Sequence, residues 1–201
     1  MKKNVLLLPL LMTTLFYAGC VPKTSPKVIH QIINTTPPPP SINSPQIRNL
    51  PLSTFSYNKF QTVQGPILTI GKNHRGFLFP DFKGKIILLE IFGQDCHYCF
   101  KELPSIAHLH SKYSQNLQVV ALQVQEQMSR GTANSLIRKF NMNYPIIDRE
   151  DGSDLMYTLK NNYDWNGILP FTLLIKNGVT QQLFSGETSQ QELEEAIREL
   201  L

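Results

Sequence analysis

Cysteine is scarce in this sequence, which has three cysteines in 201 residues, at positions 20, 96 and 99. So few cysteines exclude a small domain that is held together mainly by disulfide bonds. Charged residues are also few, at 17%, and the net charge is +4. Without Lys2 and Lys3 the charge falls to +2, far from the clustered basic surface that nucleic-acid binding requires. No nucleic-acid partner is therefore expected.

Long apolar runs are missing as well. The apolar stretch at residues 5–16 is interrupted by Pro9 and is too short to span a bilayer comfortably. This excludes a multispanning membrane protein and leaves a chain of the length expected for one domain with extensions.

The amino terminus has the order of a secretion signal. Basic Lys2 and Lys3 precede the apolar stretch, and the small residues Ala18 and Gly19 stand directly before Cys20. These last residues resemble a bacterial lipobox, in which the cysteine receives a diacylglyceryl group and becomes the first residue after cleavage. Residues 1–19 are therefore predicted to be a lipoprotein signal peptide, with Cys20 lipidated and anchored to a membrane on the periplasmic side. An ordinary secretory signal with an incidental cysteine, or an uncleaved anchor, is the alternative.

Residues 20–58 are predicted to be a lipidated, proline-rich linker. They include the run of four prolines at 37–40, set among serine, threonine, asparagine and glutamine. Proline removes backbone donors and favours extended conformations, so this segment is expected to act as a semi-rigid spacer. A PxxP ligand for a proline-binding partner is the alternative. The folded domain is predicted at residues 59–201.

The first part of that domain predicts strands on either side of a helix. Residues 67–70 and 76–79 surround a turn-rich segment and predict an opening hairpin. The nearly continuous apolar run at 85–92 is typical of a central strand that is buried on both faces. Apolar residues then recur at spacings of three or four from Cys99 onward, which predicts a helix that carries the cysteine pair in its first turn.

The second part predicts a different connectivity. Strands are predicted at residues 117–124, 144–147, 171–176 and 179–185, and helices at residues 132–140 and 155–162. Ser153 is predicted to cap the second of these helices, and Ser189 with Glu192 forms a capping box for a final helix. Asn177-Gly178 predicts a two-residue hairpin turn. The order predicts an α/β fold with a mixed central sheet flanked by helices, and with an added N-terminal β-hairpin.

The motif Cys96-His97-Tyr98-Cys99 directly follows the predicted central strand. Thiol–disulfide exchange needs one exposed sulfur of low pKa and a second sulfur that resolves the mixed disulfide. Unpaired N–H groups and the helix dipole favour an anion at the first position, so Cys96 is the predicted nucleophile and Cys99 the resolving cysteine. No cofactor beyond this redox-active pair is expected. A half zinc site would lack a second ligand pair, and a plain structural disulfide would close a very small loop.

Two other clusters of polar residues are not expected to bind metal. His108 and His110 are two residues apart on a predicted helix, so they point to different faces. The acidic turn that begins at Asp148 has Gly152 at the wrong offset for a calcium loop and lacks the closing glutamate.

Several motifs resemble the thioredoxin superfamily and, within it, the TlpA-like thiol-disulfide oxidoreductases of the bacterial envelope. They are FKGK at residues 82–85, FGQDCHYC at 92–99, Pro104, and PFTLLI at 170–175 with Asn177-Gly178. Gln94 and Asp95 stand where the family often has a Thr/Glu-Trp pair. The resemblance covers residues 60–201. It implies a thioredoxin fold and an enzyme that acts on extended protein thiols and disulfides and is recycled by a redox partner.

The resemblance also implies roles for three further residues. Glu90 lies six residues before Cys96, where thioredoxins carry a buried acid. A carboxyl among apolar neighbours should have a raised pKa and accept the proton of Cys99. Pro170 matches the family's cis-proline, and the backbone of Leu169 would then bind an extended substrate strand. The alternatives are that Glu90 faces a polar edge and that Pro170 is a trans proline at the start of an edge strand.

His97 and Tyr98 are predicted to tune the cysteine pair and to contact substrate. A protonated His97 would stabilise the Cys96 thiolate, whereas an exposed histidine without consequence is the alternative. The resulting hypothesis is a membrane-tethered periplasmic oxidoreductase, a reductase of envelope protein disulfides such as those of cytochrome c maturation. A disulfide oxidase or isomerase of the same fold, a copper-handling lipoprotein and a structural lipoprotein with a vestigial pair are the alternatives.

Overall fold

The computed structural model describes residues 54–201. The predicted signal peptide, the predicted lipidation site Cys20 and most of the predicted linker lie outside the described residues. The first strand, β1, spans Ser56–Gln61. Its first three residues fall within the segment predicted as linker, so regular structure begins before residue 59.

A small antiparallel sheet opens the described part of the chain. β1 pairs with β2 (Ile67–Asn73), which pairs in turn with β3 (Gly76–Leu78). The pairing of β2 with β3 agrees with the predicted hairpin. β1 extends that hairpin to three strands, with Phe60 opposite Leu68.

A five-stranded mixed sheet forms the centre of the domain. Its strands are β4 (Ile86–Phe92), β5 (Leu117–Gln123), β6 (Ile146–Ile147), β7 (Phe171–Lys176) and β8 (Val179–Ser185). Their order is β6-β5-β4-β7-β8, with β4, β5 and β6 parallel and β7 antiparallel to both β4 and β8. The mixed sheet expected from the sequence is therefore present.

Four α-helices within the described residues accompany this sheet. They are α1 (His97–Lys112), α2 (Arg130–Phe140), α3 (Ser153–Tyr163) and α4 (Gln190–Glu199). Between residues 54 and 201, no helix combines the length and the apolar character needed to cross a membrane.

The core consists of two layers, one on each face of the central sheet. Every residue of β4 is buried. Leu88 and Phe92 pack in a layer with residues of α1, α2 and α4, whereas Leu89 and Ile91 pack in a layer with α3 and the small sheet. Because successive side chains of a strand point to opposite faces, Glu90 lies on the same face as Leu88 and Phe92, toward α1.

The turn and cap predictions had different outcomes. Asn177 and Gly178 have φ values of 52° and 79°, the positive values that a tight hairpin turn between β7 and β8 requires. Ser189 caps α4, because its side chain accepts a hydrogen bond from the backbone N–H of Glu192 at 3.2 Å.

The prediction for Ser153 is wrong: it is the first residue of α3, and Gly152 holds the cap position without a side-chain hydrogen bond. A Cβ at Gly152 would lie 2.2 Å from the Leu122 side chain, so close packing on β5 accounts for glycine there.

Candidate active site

The two cysteines lie where β4 is followed by α1. Cys96 is the N-cap residue of α1, and Cys99 lies in its first turn. A disulfide joins them, with the Cα atoms 5.2 Å apart. The Cys96 sulfur accepts a hydrogen bond from the backbone N–H of Cys99 at 3.1 Å. The sulfur thus occupies the position of an N-cap oxygen, where helix N–H groups favour negative charge.

The two sulfur-bearing residues differ in access to solvent. Cys96 is 8% exposed, whereas Cys99 is fully buried. His97 and Tyr98 are exposed at the start of the helix, and 56% of Tyr98 is accessible. The Lys101 ammonium lies 4.9 Å from the centre of the Tyr98 ring. A reaction partner would therefore meet Cys96 first, beside an aromatic and cationic rim.

Gln125 fixes the loop that presents Cys96. Its side-chain oxygen accepts a hydrogen bond from the backbone N–H of Asp95 at 2.8 Å. A Cβ on Gly93 would lie 2.4 Å from the Gln125 side chain, so only glycine allows this close approach. The backbone N–H of Cys96 donates to the Gly93 carbonyl at 3.2 Å, which completes the turn. Gln125 was not predicted from the sequence, because it comes from the chain after a different strand, β5.

The Leu169–Pro170 peptide bond is cis, the conformation expected for it. Ile91 near the end of β4 pairs with Phe171 at the start of β7. Pro170 and the cysteine loop therefore lie at the same end of the central sheet. The neighbouring Ile168 is 49% exposed and adds an apolar residue that the sequence analysis did not select. The role of this segment in substrate binding stays a prediction.

Glu90 is fully buried in the central strand, between Ala121 of β5 and Thr172 of β7. This position rules out the polar-edge alternative. Neither carboxyl oxygen makes a hydrogen bond of ordinary geometry. Burial raises the pKa of Glu90 well above its usual value and Glu102 raises it further, while the nearby Tyr144 hydroxyl has the opposite effect. The protonated form is therefore favoured.

A second buried acid, Glu102, lies on α1 three residues after Cys99 and was not predicted from the sequence. Glu102 is 2% exposed, and its carboxyl oxygens also lack hydrogen bonds of ordinary geometry. Burial raises its pKa to about 7; the charge of Glu187 adds to this effect, and the backbone of Thr188 opposes it. The one sequence signal is that position 102 falls within the helical spacing of the buried residues of α1.

The acidic turn that begins at Asp148 has a structural role. Asp148 accepts hydrogen bonds from the side chain of Gln123 and the backbone of Met128. It therefore ties the segment after β5 to the segment after β6. The part of the chain that the structure describes contains no group of three histidine, cysteine, aspartate or glutamate residues that could hold a metal ion.

The fold and the cysteine pair together define the class as thioredoxin-like. A thioredoxin family protein from Chlorobium tepidum TLS superimposes with a TM-score of 0.59 at 18% identity, covering 71% of this chain and 92% of that chain. StoA from Bacillus subtilis has a TM-score of 0.52 at 17% identity, covering 70% of this chain and 95% of that chain. These similarities establish the thioredoxin fold. No protein-family model matches the chain.

Relatives of known name identify the family within this class. The thiol-disulfide oxidoreductase ResA of Geobacillus kaustophilus is 30% identical over 137 residues, 67% of this chain and 73% of that protein. ResA of Bacillus thuringiensis is 27% identical over 125 residues, 60% of this chain and 66% of that protein, just under two thirds of its length. The chain belongs to the ResA family of thiol-disulfide oxidoreductases, in agreement with the resemblance found from its motifs.

Proposed function

We propose that this protein reduces disulfide bonds in proteins of the bacterial envelope, with Cys96 and Cys99 as its reacting groups. The observation that carries the proposal is the cysteine pair itself. The Cys96 sulfur caps a helix in a residue that keeps 8% exposure, and Cys99 lies fully buried one turn further along. This arrangement fits a nucleophile and a resolving thiol.

The first step is attack on the substrate. In the reduced protein the Cys96 thiolate attacks one sulfur of the substrate disulfide. A bond forms between Cys96 and that sulfur, and the other substrate sulfur leaves as a thiolate. The helix N-terminus favours the anionic form of Cys96 that this step needs.

The second step releases the substrate. The ionised Glu90 carboxyl accepts the proton of the Cys99 thiol, and the Cys99 thiolate attacks the Cys96 sulfur. The Cys96–Cys99 disulfide forms, and the remaining substrate sulfur leaves and is protonated. Two electrons have then passed from the cysteine pair to the substrate, and a redox partner must reduce the pair again. Glu102 lies close enough to raise the pKa of Glu90, so it influences this proton transfer.

Substrate would bind at the rim around Cys96. The proposed contacts are the backbone of Leu169 beside Pro170 and the exposed side chains of His97 and Tyr98. Ile168 extends this rim with an exposed apolar side chain. An extended segment of a partly unfolded protein fits such a surface, because it offers backbone groups and apolar side chains together.

The direction of electron flow is tested by the equilibrium reduction potential of the full-length protein in detergent. A reductase is expected between roughly −270 and −200 mV, nearer to thioredoxin than to a strong oxidant at about −120 mV. The measurement is equilibration with glutathione buffers followed by mass analysis of the alkylated thiols. A value near the strong oxidant would replace the proposal with a disulfide oxidase. A role in cytochrome c maturation would further require that deletion of the gene lowers holocytochrome levels.

The two cysteines are expected to differ in reactivity. In Cys99→Ser the remaining Cys96 should be alkylated at pH 7 at least about tenfold faster than Cys99 in Cys96→Ser, because only Cys96 combines access with a stabilised thiolate. Rates are measured with iodoacetamide and mass spectrometry. Mixed disulfides should accumulate on Cys99→Ser alone. Faster alkylation of Cys99 would reverse the assignment of nucleophile and resolving cysteine.

The lipid anchor at Cys20 is proposed from the sequence motif. Cys20→Ser removes the cysteine that would carry the acyl chains, and stable anchoring needs two or more such chains. The variant is therefore expected to move from the membrane fraction to the soluble envelope fraction or to remain unprocessed. Detergent partitioning and intact-mass analysis provide the measurement. Cys96→Ser, which leaves the motif intact, is the matched control and should stay with the membrane. An unmodified mature protein that is cleaved elsewhere would contradict the proposal.

A further inference from the structure

Tyr144 lies in the segment between α2 and β6 and is 4% exposed. Its buried hydroxyl makes no hydrogen bond of ordinary geometry, and the same holds for both carboxyl oxygens of Glu90. The strand order brings the two groups together. Ala121 of β5 pairs with Glu90 on one side, and on the other its backbone N–H donates to the carbonyl of Pro145, the residue after Tyr144, at 2.9 Å. The Tyr144 side chain packs in the same core layer as Leu88 and Phe92, the layer toward which Glu90 points, and each group also acts on the pKa of the other. Two buried polar groups without other partners therefore face each other behind the cysteine pair.

Other contacts hold the Tyr144 ring and backbone in place. The His110 ring packs perpendicular to the Tyr144 ring, with 5.5 Å between ring centres. The Gln64 side chain donates to the Tyr144 carbonyl at 2.9 Å and accepts from the backbone N–H of Ile146 at 3.1 Å. None of these contacts uses the hydroxyl. A change that removes only the hydroxyl should therefore leave the segment in place.

We propose that Tyr144 is a positioning residue for Glu90, and that its hydroxyl donates a hydrogen bond to the Glu90 carboxylate when that carboxyl is ionised. The inference rests on the proposed function, in which ionised Glu90 accepts the proton of Cys99. Tyr144 would then set how much of Glu90 is in the form that can accept this proton.

The groups around Glu90 explain why the Tyr144 hydroxyl should have a large effect on the ionisation of the Glu90 carboxyl. From α1, Glu102 raises the pKa of Glu90, and the Cys99 side chain packs in the same core layer. His110, also on α1, has a lowered pKa because of burial and Lys85, which favours its neutral form. The neighbours on β5 and β7, Ala121 and Thr172, do not titrate. No positive charge is among the causes that lower the pKa of Glu90, so the Tyr144 hydroxyl dipole is the main stabilisation available to the carboxylate.

Removal of the hydroxyl should raise the pKa of Glu90 further. A hydrogen bond to a charged group is strong enough to shift a pKa by roughly one unit or more. Tyr144→Phe should therefore move the titration midpoint of the Glu90 carboxyl upward by roughly one pH unit. The alkaline shift should also appear in the pH profile of mixed-disulfide resolution, since less carboxylate is present at any given pH.

Infrared spectroscopy of the oxidised full-length protein tests this shift directly. The carboxylic acid band of Glu90 is assigned from its loss in Glu90→Gln and is then followed against pH in wild type and in Tyr144→Phe. Neither Cys96 nor Cys99 titrates in the oxidised form, so the band reports Glu90 without turnover. Tyr163→Phe is the matched control, since it also removes a tyrosine hydroxyl, a partly buried one that bonds to Thr180 at 2.7 Å.

We expect a raised titration midpoint of the Glu90 carboxyl in Tyr144→Phe and an unchanged midpoint in Tyr163→Phe. Tyr144→Met, which also lacks the hydroxyl, should show the same shift and covers the case in which the phenylalanine variant does not fold. An unchanged midpoint in a folded Tyr144 variant, or an equal shift in the control, overturns the proposal. A raised midpoint with an unchanged pH profile of resolution supports the pairing of Tyr144 with Glu90 but contradicts the proton-accepting role of Glu90.

Discussion

Glu90→Gln is expected to slow turnover of a protein disulfide about 100-fold or more, the range typical for loss of a general base. Glutamine keeps the shape of the side chain but cannot take the Cys99 proton. Cys99 is fully buried, so its thiol has little access to water as an alternative acceptor. The loss should fall on resolution of the mixed disulfide, the step in which Cys99 becomes the nucleophile.

The measurement separates the two chemical steps. Alkylation of Cys96 at pH 7 should stay nearly unchanged in Glu90→Gln, while mixed disulfides with substrate should persist longer. The variant should be no less stable than wild type, because an acid buried without hydrogen bonds is replaced by a neutral side chain. Turnover within about twofold of wild type would mean that the proton leaves by another route. Glu102→Gln would then test the second buried acid as that route.

Local sequence patterns were sufficient to predict the central sheet. The apolar run at residues 85–92 is β4, which is buried on both faces, and its burial follows from the absence of polar alternation. The Asn177-Gly178 turn is equally local, since both positions need positive φ and these residue types adopt it readily. The position of the cysteine pair followed from the strand that precedes it and from the helical spacing after Cys99.

Strand β1 could not be predicted in this way. Its sequence SYNKFQ has a single buried residue, Phe60, and the other five are exposed. The strand exists because its backbone pairs with β2, a long-range interaction that leaves no periodic pattern in so polar a segment. Its proximity to the proline-rich segment also favoured the interpretation of residues 56–58 as linker.

The acidic and polar residues around the cysteines were also only partly predictable, because their burial depends on long-range packing. Glu90 was identified because it lies six residues before Cys96, where thioredoxins carry a buried acid, and because it interrupts an apolar strand. Glutamate is common on helices, so Glu102 gave no comparable signal. Its burial depends on how α1 packs against α4 and against the segment just before α4, where Glu187 and Thr188 lie. The position of Tyr144 opposite Glu90 depends in turn on the chain that leads into β6.

Glu102→Gln is expected to stabilise the folded protein as the pH rises. In the folded state the pKa of Glu102 is about 7, against an ordinary value of 4.5. Between these pH values the folded state holds a proton that the unfolded state has lost, so wild-type stability falls as pH rises and levels off above about 7. The whole shift corresponds to a loss of about 3 kcal/mol. Glutamine carries no charge and avoids this loss.

Urea denaturation of the oxidised proteins at pH 5 and pH 8 measures the difference. The stability of Glu102→Gln relative to wild type should increase by about 2.5 kcal/mol between the two pH values, because pH 5 already lies above the ordinary pKa of 4.5 and part of the loss occurs below it. Glu90 contributes to the pH dependence of both proteins, so most of its effect cancels in the comparison. Glu195→Gln, at an exposed position of α4, is the matched control and should track wild type. If the gain for Glu102→Gln is the same at pH 5 and pH 8, Glu102 does not ionise in this range, and the stabilisation comes from the amide itself.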